Sequence, residues 1–340
     1  MASLPPSEIQ YQEAHLSENE SPAIIAVSTI FAAVALITFL LRVAARYVTA
    51  AHFGLDDGFA LASVISLIVL SVATSLSAHY GIGRHLIAVL KEDPNALVTI
   101  GKTELALSVS YGTSLCMGKL AILALFTRIF TFINRRFKTM VLILSVVVLC
   151  WYTATILVIF LECRPLTTVW GDPYQCFPSQ TTTIVLAVIN IVIDVAILAL
   201  PQPLIWKLNC GLRKKLQISA VLLVGVFSTI ISIIRIPYQV GSLGGSPYDT
   251  TYSLYPGYFF IIIEPATLVL CGSLPMIPGL IQQFQSPHPP NSRATKGSSR
   301  GYLRSTGSAD QIELAASRTN SAQDKASISN SATEIQMHIE

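Results

Sequence analysis

The stretch AIIAVSTIFAAVALITFLL, Ala23 to Leu41, runs nineteen residues without a charge. A hydrocarbon core of about 30 Å needs about 20 helical residues at a rise of ~1.5 Å, so this segment reads as a membrane crossing. Six further stretches repeat the pattern: Gly58 to Ser77, Leu105 to Phe126, Thr139 to Leu161, Thr181 to Trp206, Leu216 to Ile234 and Tyr258 to Ile281. The whole chain agrees, with a mean hydropathy of +0.60, 52% hydrophobic residues and 12% charged ones. Ordinary soluble domains carry about 25% charged residues, and a core of 340 residues cannot enclose seven apolar helices. The fold class is therefore an all-α membrane protein, a bundle of seven transmembrane helices. Helices are the element chosen because a backbone in lipid must satisfy its own hydrogen bonds, and no segment alternates like a barrel strand.

Charge asymmetry gives the bundle a direction. Arg42, Arg46, Arg128, Arg135, Arg136, Lys138, Lys207, Arg213, Lys214 and Lys215 flank one set of span ends. The other set has Arg84, Lys91, Lys102 and Arg164, while the first 41 residues contain no Lys or Arg. The positive-inside rule places the N-terminus outside and the C-terminus in the cytosol, which suits an odd number of crossings. Residues 1–22 then form an extracellular acidic tail, 23–283 the bundle, and 284–340 a disordered cytosolic Ser/Thr-rich tail with too few apolar residues to fold alone. The N-terminal stretch has no basic region ahead of a short apolar core, so it does not read as a cleaved signal peptide. Asn19-Glu20-Ser21 is a glycosylation sequon on the outer side, although Pro22 follows it directly. Arg293, Lys296, Arg300 and Arg304 follow the last span, where basic residues attract anionic membrane lipid.

Of six cysteines, only Cys163 and Cys176 share the outer, oxidising side, where they bracket the loop containing Trp170 and Tyr174. A disulfide between them would contribute about 3 kcal/mol by closing that loop. Cys116, Cys150 and Cys271 fall within spans and Cys210 in an inner loop.

Four charges break the apolar pattern. Lys119, Asp194 and Glu264 interrupt spans, and Arg235 closes the outer end of the sixth. An Asp, Lys or Arg at mid-span costs about 2.5 to 3.5 kcal/mol on insertion scales, so these groups should face the bundle interior and pair. Depth along each span matches Lys119 with Asp194 near the midplane, with Asn190 one turn from Asp194, and Arg235 with Glu264 nearer the outside. Together with Tyr238 and Tyr258 they are the candidate ligand-binding residues, lining one polarised cavity. The same pairs also serve as struts between helices.

Three loop features complete the pattern. Asp56 and Asp57 precede the second span, where they would cap its N-terminus against the helix dipole. Tyr80-Gly81-Ile82-Gly83-Arg84-His85 lacks the third glycine and the strand–helix setting of a dinucleotide site. His79 and His85 would make a metal site only with carboxylates from elsewhere, and no metal is expected. Leu86 to Leu90 reads as a short interfacial helix, and the prolines at 201, 203, 265, 275 and 278 should bend the fifth and seventh spans near their inner ends.

Taken in order, Leu55-Asp56-Asp57, Tyr80 to His85, Lys119, Arg128-Ile129-Phe130, Cys163-Arg164-Pro165 with Trp170 and Cys176, Asn190, Asp194, Pro201-Gln202-Pro203 with Trp206, Arg235, Glu264 and Pro275 resemble the fungal rhodopsin-like integral membrane proteins, the satratoxin-cluster type among them. The resemblance covers residues 30–283. Pro265 after Glu264, and Ile277 where the family tends to carry arginine, are departures. It implies a fungal plasma-membrane or endomembrane protein, with some members found in secondary-metabolite gene clusters. Retinal is not implied, since the seventh span has no lysine and Lys119 is the one intramembrane lysine. No other cofactor and no nucleic acid is called for. The leading expectation is a receptor-like sensor of an unknown small molecule, with the basic loops Asn134 to Lys138 and Gly211 to Lys215 facing a cytosolic signalling partner. The alternatives are an intramembrane cyclase-like enzyme using Asp194 or Glu264 as proton donor, and a transporter. No nucleophile–base pair supports the enzyme, and no inverted repeat supports the transporter.

Overall fold

The computed structural model describes residues 5–49, 52–129, 135–162, 180–202, 212–239 and 248–276. These described residues form ten α-helices: α1 (Pro6–Ala14), α2 (Ser21–Val48), α3 (Leu55–His79), α4 (Leu86–Glu92), α5 (Ala96–Ile129), α6 (Arg135–Glu162), α7 (Gln180–Ala199), α8 (Leu212–Gln239), α9 (Thr250–Ser253) and α10 (Tyr255–Ser273). A 3-10 turn, Leu274–Met276, follows α10 where Pro275 cannot extend it. Among the described residues there is no strand beyond one isolated bridge, Asn19 to Arg84.

Among the same residues, six helical segments are long and apolar enough to cross a membrane: Ser21–Val48, Leu55–His79, Ala96–Arg128, Arg135–Leu161, Thr181–Ala199 and Thr250–Met276. In α8 the apolar part is shorter, Leu222–Tyr238. Met140, Leu142, Ile143 and Val146 on α6, Val185, Val188 and Val192 on α7, and Ile30 and Ile37 on α2 are exposed. Such bands suit lipid as the surrounding medium, since there is no water for them to avoid.

The helices are longer than their charge-free cores. α2 runs past Leu41 through Arg42 and Arg46, and α5 starts nine residues before Leu105, taking in Lys102 and Glu104. Each extension is stabilised by partners the local sequence does not show. Arg42 and Arg46, one turn apart, both reach the two acids that open α3: Arg42 Nη2 lies 2.5 Å and Arg46 Nη2 2.5 Å from Asp56 Oδ2, while Arg42 Nε lies 2.8 Å and Arg46 Nε 3.2 Å from Asp57. Arg128 at the end of α5 adds a contact of 3.3 Å to Asp56 and donates to the His52 carbonyl. Arg42 also donates to the Gly272 carbonyl of α10. Capping is only half of what Asp56 and Asp57 do. Asp57 accepts from the Gly54 N–H at 3.1 Å, and both carboxylates form the centre of an arginine cluster clamping α2, α3, α5 and α10.

Small polar residues bring α2, α3 and α5 close. Ser63 donates to the Ser114 carbonyl and Ser114 to the Ser63 carbonyl, while Ser71 donates to the Ser28 carbonyl. All four are buried, and side chains of this size let helix backbones approach where lipid offers no hydrophobic drive.

The opposite end of the bundle is closed by the short elements. The N-terminal residues are acidic, yet α1 folds and lies on α4, with buried Gln12 accepting from the Ile87 N–H and Glu13 pairing with Lys91. Gly83 at φ +92° donates to the Thr251 carbonyl and accepts from the Glu20 N–H. A Cβ there would sit 2.9 Å from the Ser21 nitrogen, so glycine is required both by conformation and by space. His85 is buried, with Nδ1 2.5 Å from Asp249 and its ring stacked on Tyr252. Arg84 forms a double hydrogen bond with Glu92, which holds the exposed Glu92 carboxyl below the usual carboxylate range. The Tyr80–His85 turn is thus a structural stitch between α2, α4 and α9.

Replacing Arg42 by Met leaves Asp56 and Asp57 buried and undercompensated, and lowers stability by about 3–5 kcal/mol. Arg128→Met, at the exposed rim of the same cluster, costs about 1 kcal/mol or less. Unfolding of the purified full chain in detergent measures both.

Candidate functional site

The intramembrane charges meet at one place. Lys119 of α5 points toward α7, where its Nζ lies 2.9 Å from Asp194 Oδ1 and donates to Asn190 Oδ1 at 2.5 Å. Asn190 turns its amide the other way, donating from Nδ2 to Glu264 Oε1 of α10 at 2.9 Å. Ser232 of α8 donates to the same oxygen at 2.6 Å, and Tyr111 of α5 donates to Glu264 Oε2 at 2.6 Å. Arg235 of α8 completes the set, its Nε 3.3 Å from Glu264 Oε2 and its guanidinium carbon 4.7 Å above the Tyr111 ring. Lys119 Nζ also lies 5.2 Å from the centre of the Trp151 ring of α6, whose Nε1 donates to the Leu186 carbonyl.

Lys119 and Glu264 are fully enclosed, and Asn190, Asp194, Ser232 and Arg235 are buried. Two cations face two carboxylates, so the formal charge cancels. That balance matters because an uncompensated ion is costly in this medium, whereas a paired, hydrogen-bonded set is tolerated.

Depth alone gives the two ion pairs, and Asn190 joins them into one network. Two of the candidate residues stand apart. Tyr258 donates its hydroxyl to Glu104, and the Tyr238 ring stacks on Phe260 at 5.5 Å. Three members escape the sequence reading: Tyr111, Ser232 and Trp151. Tyr111 lies eight residues before Lys119 on the same helical stripe, and Ser232 three before Arg235, spacings that place each on its partner's face. Tyr and Ser are common in spans, so that spacing is a weak signal by itself. Cys163 and Cys176 lie outside the described residues. Asn19 is exposed, with its side-chain oxygen accepting from the Ser21 N–H at 3.0 Å.

The network has two incomplete points, both on α8. Arg235 Nε and Ser228 Oγ are buried without a hydrogen-bond partner. Ser228, Asp194, Gly225, Phe126 and Cys271 line a void of about 30 Å³ on the side facing the arginine cluster.

Lys119→Met strands Asp194 and lowers stability by about 3–5 kcal/mol, while Lys119→Met combined with Asp194→Leu recovers most of the loss. Chemical unfolding of the two single variants and the double variant reads the difference.

Known proteins bear on what this network belongs to. A SAT4 family membrane protein of Emericella nidulans is 28% identical over 221 residues, which are 63% of this chain and 54% of that protein. The chain thus spans about half the length of that relative. The polyenoic acids biosynthesis gene cluster protein Ba17b of Metarhizium anisopliae is 24% identical, covering 76% of this chain and 73% of its own. The satratoxin biosynthesis SC1 cluster protein 4 of Stachybotrys chartarum is 23% identical, covering 61% and 76%. No solved structure matches. The model of the fungal rhodopsin domain matches residues 41–283, well over half of the chain and including every member of the charge network. The chain belongs to the fungal rhodopsin domain family, a family of membrane proteins.

Proposed function

We propose that the protein is a receptor-like sensor that crosses the membrane seven times and binds a small neutral molecule at the Arg235–Glu264 end of the network. In this reading α8 makes the seventh crossing, since its 28 residues span ~42 Å at 1.5 Å per residue. The N-terminus is outside and the C-terminus cytosolic, an orientation that charge asymmetry supports, and the location in this reading is the plasma membrane, with an endomembrane the alternative.

The observation that carries the reading is Arg235 Nε, a buried donor that lies 3.3 Å from Glu264 Oε2 as an ion pair but without the alignment of a hydrogen bond. A buried donor that is poorly aligned with its acceptor gives up part of the roughly 1–3 kcal/mol that a good hydrogen bond would secure, and an acceptor oxygen on a ligand would return it. The charge balance of the network disfavours an ionic ligand, so the binding group is a carbonyl, ether or hydroxyl oxygen. The relatives named for biosynthetic clusters suggest the source, a product of such a cluster. A ligand that draws Arg235 from Glu264 shifts α8 against α10, and the basic ends of α6 and α8 pass that shift to a cytosolic partner.

Incubation of the purified full chain with a panel of oxygenated fungal metabolites tests the reading. A true ligand raises the unfolding temperature, is recovered unchanged, and loses affinity about tenfold or more in Arg235→Gln. Conversion of the compound to a new product, lost in Asp194→Asn or Glu264→Gln, would instead establish the enzyme. Terminal epitope tags check the topology: the N-terminal tag should react on intact cells and the C-terminal tag only after permeabilisation. Both reacting from one side would refute seven crossings.

A further inference from the structure

The second incomplete point of the network has a different occupant. We propose that the void beside Asp194 and Ser228 is a structural hydration site, holding one water molecule that bridges the Asp194 carboxylate to the Ser228 hydroxyl.

Size, partners and charge each support it. A void of about 30 Å³ exceeds the roughly 10–15 Å³ that one water requires, and is too small for a larger ligand. Ser228 Oγ is buried with no partner although it borders this space. Asp194 uses Oδ1 for Lys119, and as a carboxylate it has further lone pairs to offer. A water there accepts from Ser228 and donates to Asp194, the lower end of the two to four partners that ordered buried water makes, while the rest of the wall is mainly aliphatic and aromatic. A sodium ion is the competing occupant for a carboxylate and a hydroxyl. Lys119 and Arg235 already neutralise Asp194 and Glu264, however, so an added cation would leave one charge unmatched in the bundle interior.

The site has a consequence for the network. Glu264 is enclosed by protein donors on both oxygens, from Asn190, Ser232 and Tyr111. Asp194 by contrast borders the void, on the side toward the arginine cluster. Gly225 and Leu198 set the wall of the space, where a Cβ at Gly225 would collide with Leu198 Cδ2.

The sign of a stability change distinguishes a wet void from a dry one. If water is present, Ser228→Ala removes one of its anchors and lowers the unfolding temperature of the full chain by a few degrees. If the void is empty, the same change removes an unmet buried hydroxyl and leaves that temperature equal or higher, which would overturn the proposal. Ser228→Val, which fills the space, checks the assignment by structure determination. The parent protein should show one solvent peak within hydrogen-bond distance of Asp194 and Ser228, and the Val variant none. A peak with five or more oxygen ligands at about 2.4 Å, together with an unfolding temperature raised by sodium relative to choline at equal ionic strength, would also overturn it. None of these outcomes depends on a ligand at Arg235.

Discussion

A charge buried among lipid-facing helices must bring its own solvent, and here Glu264 is solvated by protein alone. Three donors from three helices converge on its two oxygens, with Arg235 alongside. No pair of these helices supplies the whole set, so α5, α7, α8 and α10 must pack together for both carboxyl oxygens to be met. The same requirement reaches Lys119, which is enclosed completely and takes its partners from α7. Apolar packing brings the helices into contact, as Leu115, Leu123, Ile193, Ile197 and Leu268 do, but it discriminates little between one rotation of a helix and another. The polar network discriminates more, because each donor has to face its acceptor across a helix interface.

The bundle carries a second polar clamp of different character. The arginine cluster at the ends of α2, α3 and α5 has three guanidinium groups to two carboxylates, with Arg128 at its exposed rim. The serine contacts of α3 with α5 lie at the level of the network, Ser114 falling between Tyr111 and Lys119, and beyond the network lies the cap made by α1, α4 and α9. One half of the bundle, α2, α3 and α5, is thus tied by small residues and arginines. The other half, α7 and α8 against α5 and α10, depends on the network. That second half holds both incomplete points, on α8, which also carries Pro237 close to its C-terminal end.

Much of this architecture is legible in the amino-acid sequence. Charge-free runs locate the helices, and depth along them pairs Lys119 with Asp194 and Arg235 with Glu264. What the sequence hides is where helices extend past their apolar cores. Arg42 ends a hydrophobic run, and only the three-dimensional partners Asp56 and Asp57 explain why α2 continues. Glu104 similarly belongs to α5 because Tyr258 of α10 reaches it. Tyr258, read from the sequence as lining the polarised cavity, has its hydroxyl on Glu104, two turns of α5 from Tyr111. Tyr111 and Ser232 are invisible for a chemical reason: neutral hydroxyls do not stand out in a span, whereas a charge does. Asn190 stands out for its place beside Asp194, yet its role as the bridge between two ion pairs depends on the opposite faces of its amide, which only geometry reveals.

The central claim is that two ion pairs on four helices act as one unit through Asn190. A double-mutant cycle across the network measures this directly, using Lys119→Met, Arg235→Met and both together, in the full chain unfolded from detergent. Lys119 and Arg235 share no direct contact, so independent pairs would give additive losses within about 0.5 kcal/mol. The account predicts a coupling of about 1 kcal/mol or more, carried by Asn190 and abolished when Asn190→Leu is the background. Additive losses in the native background would contradict it.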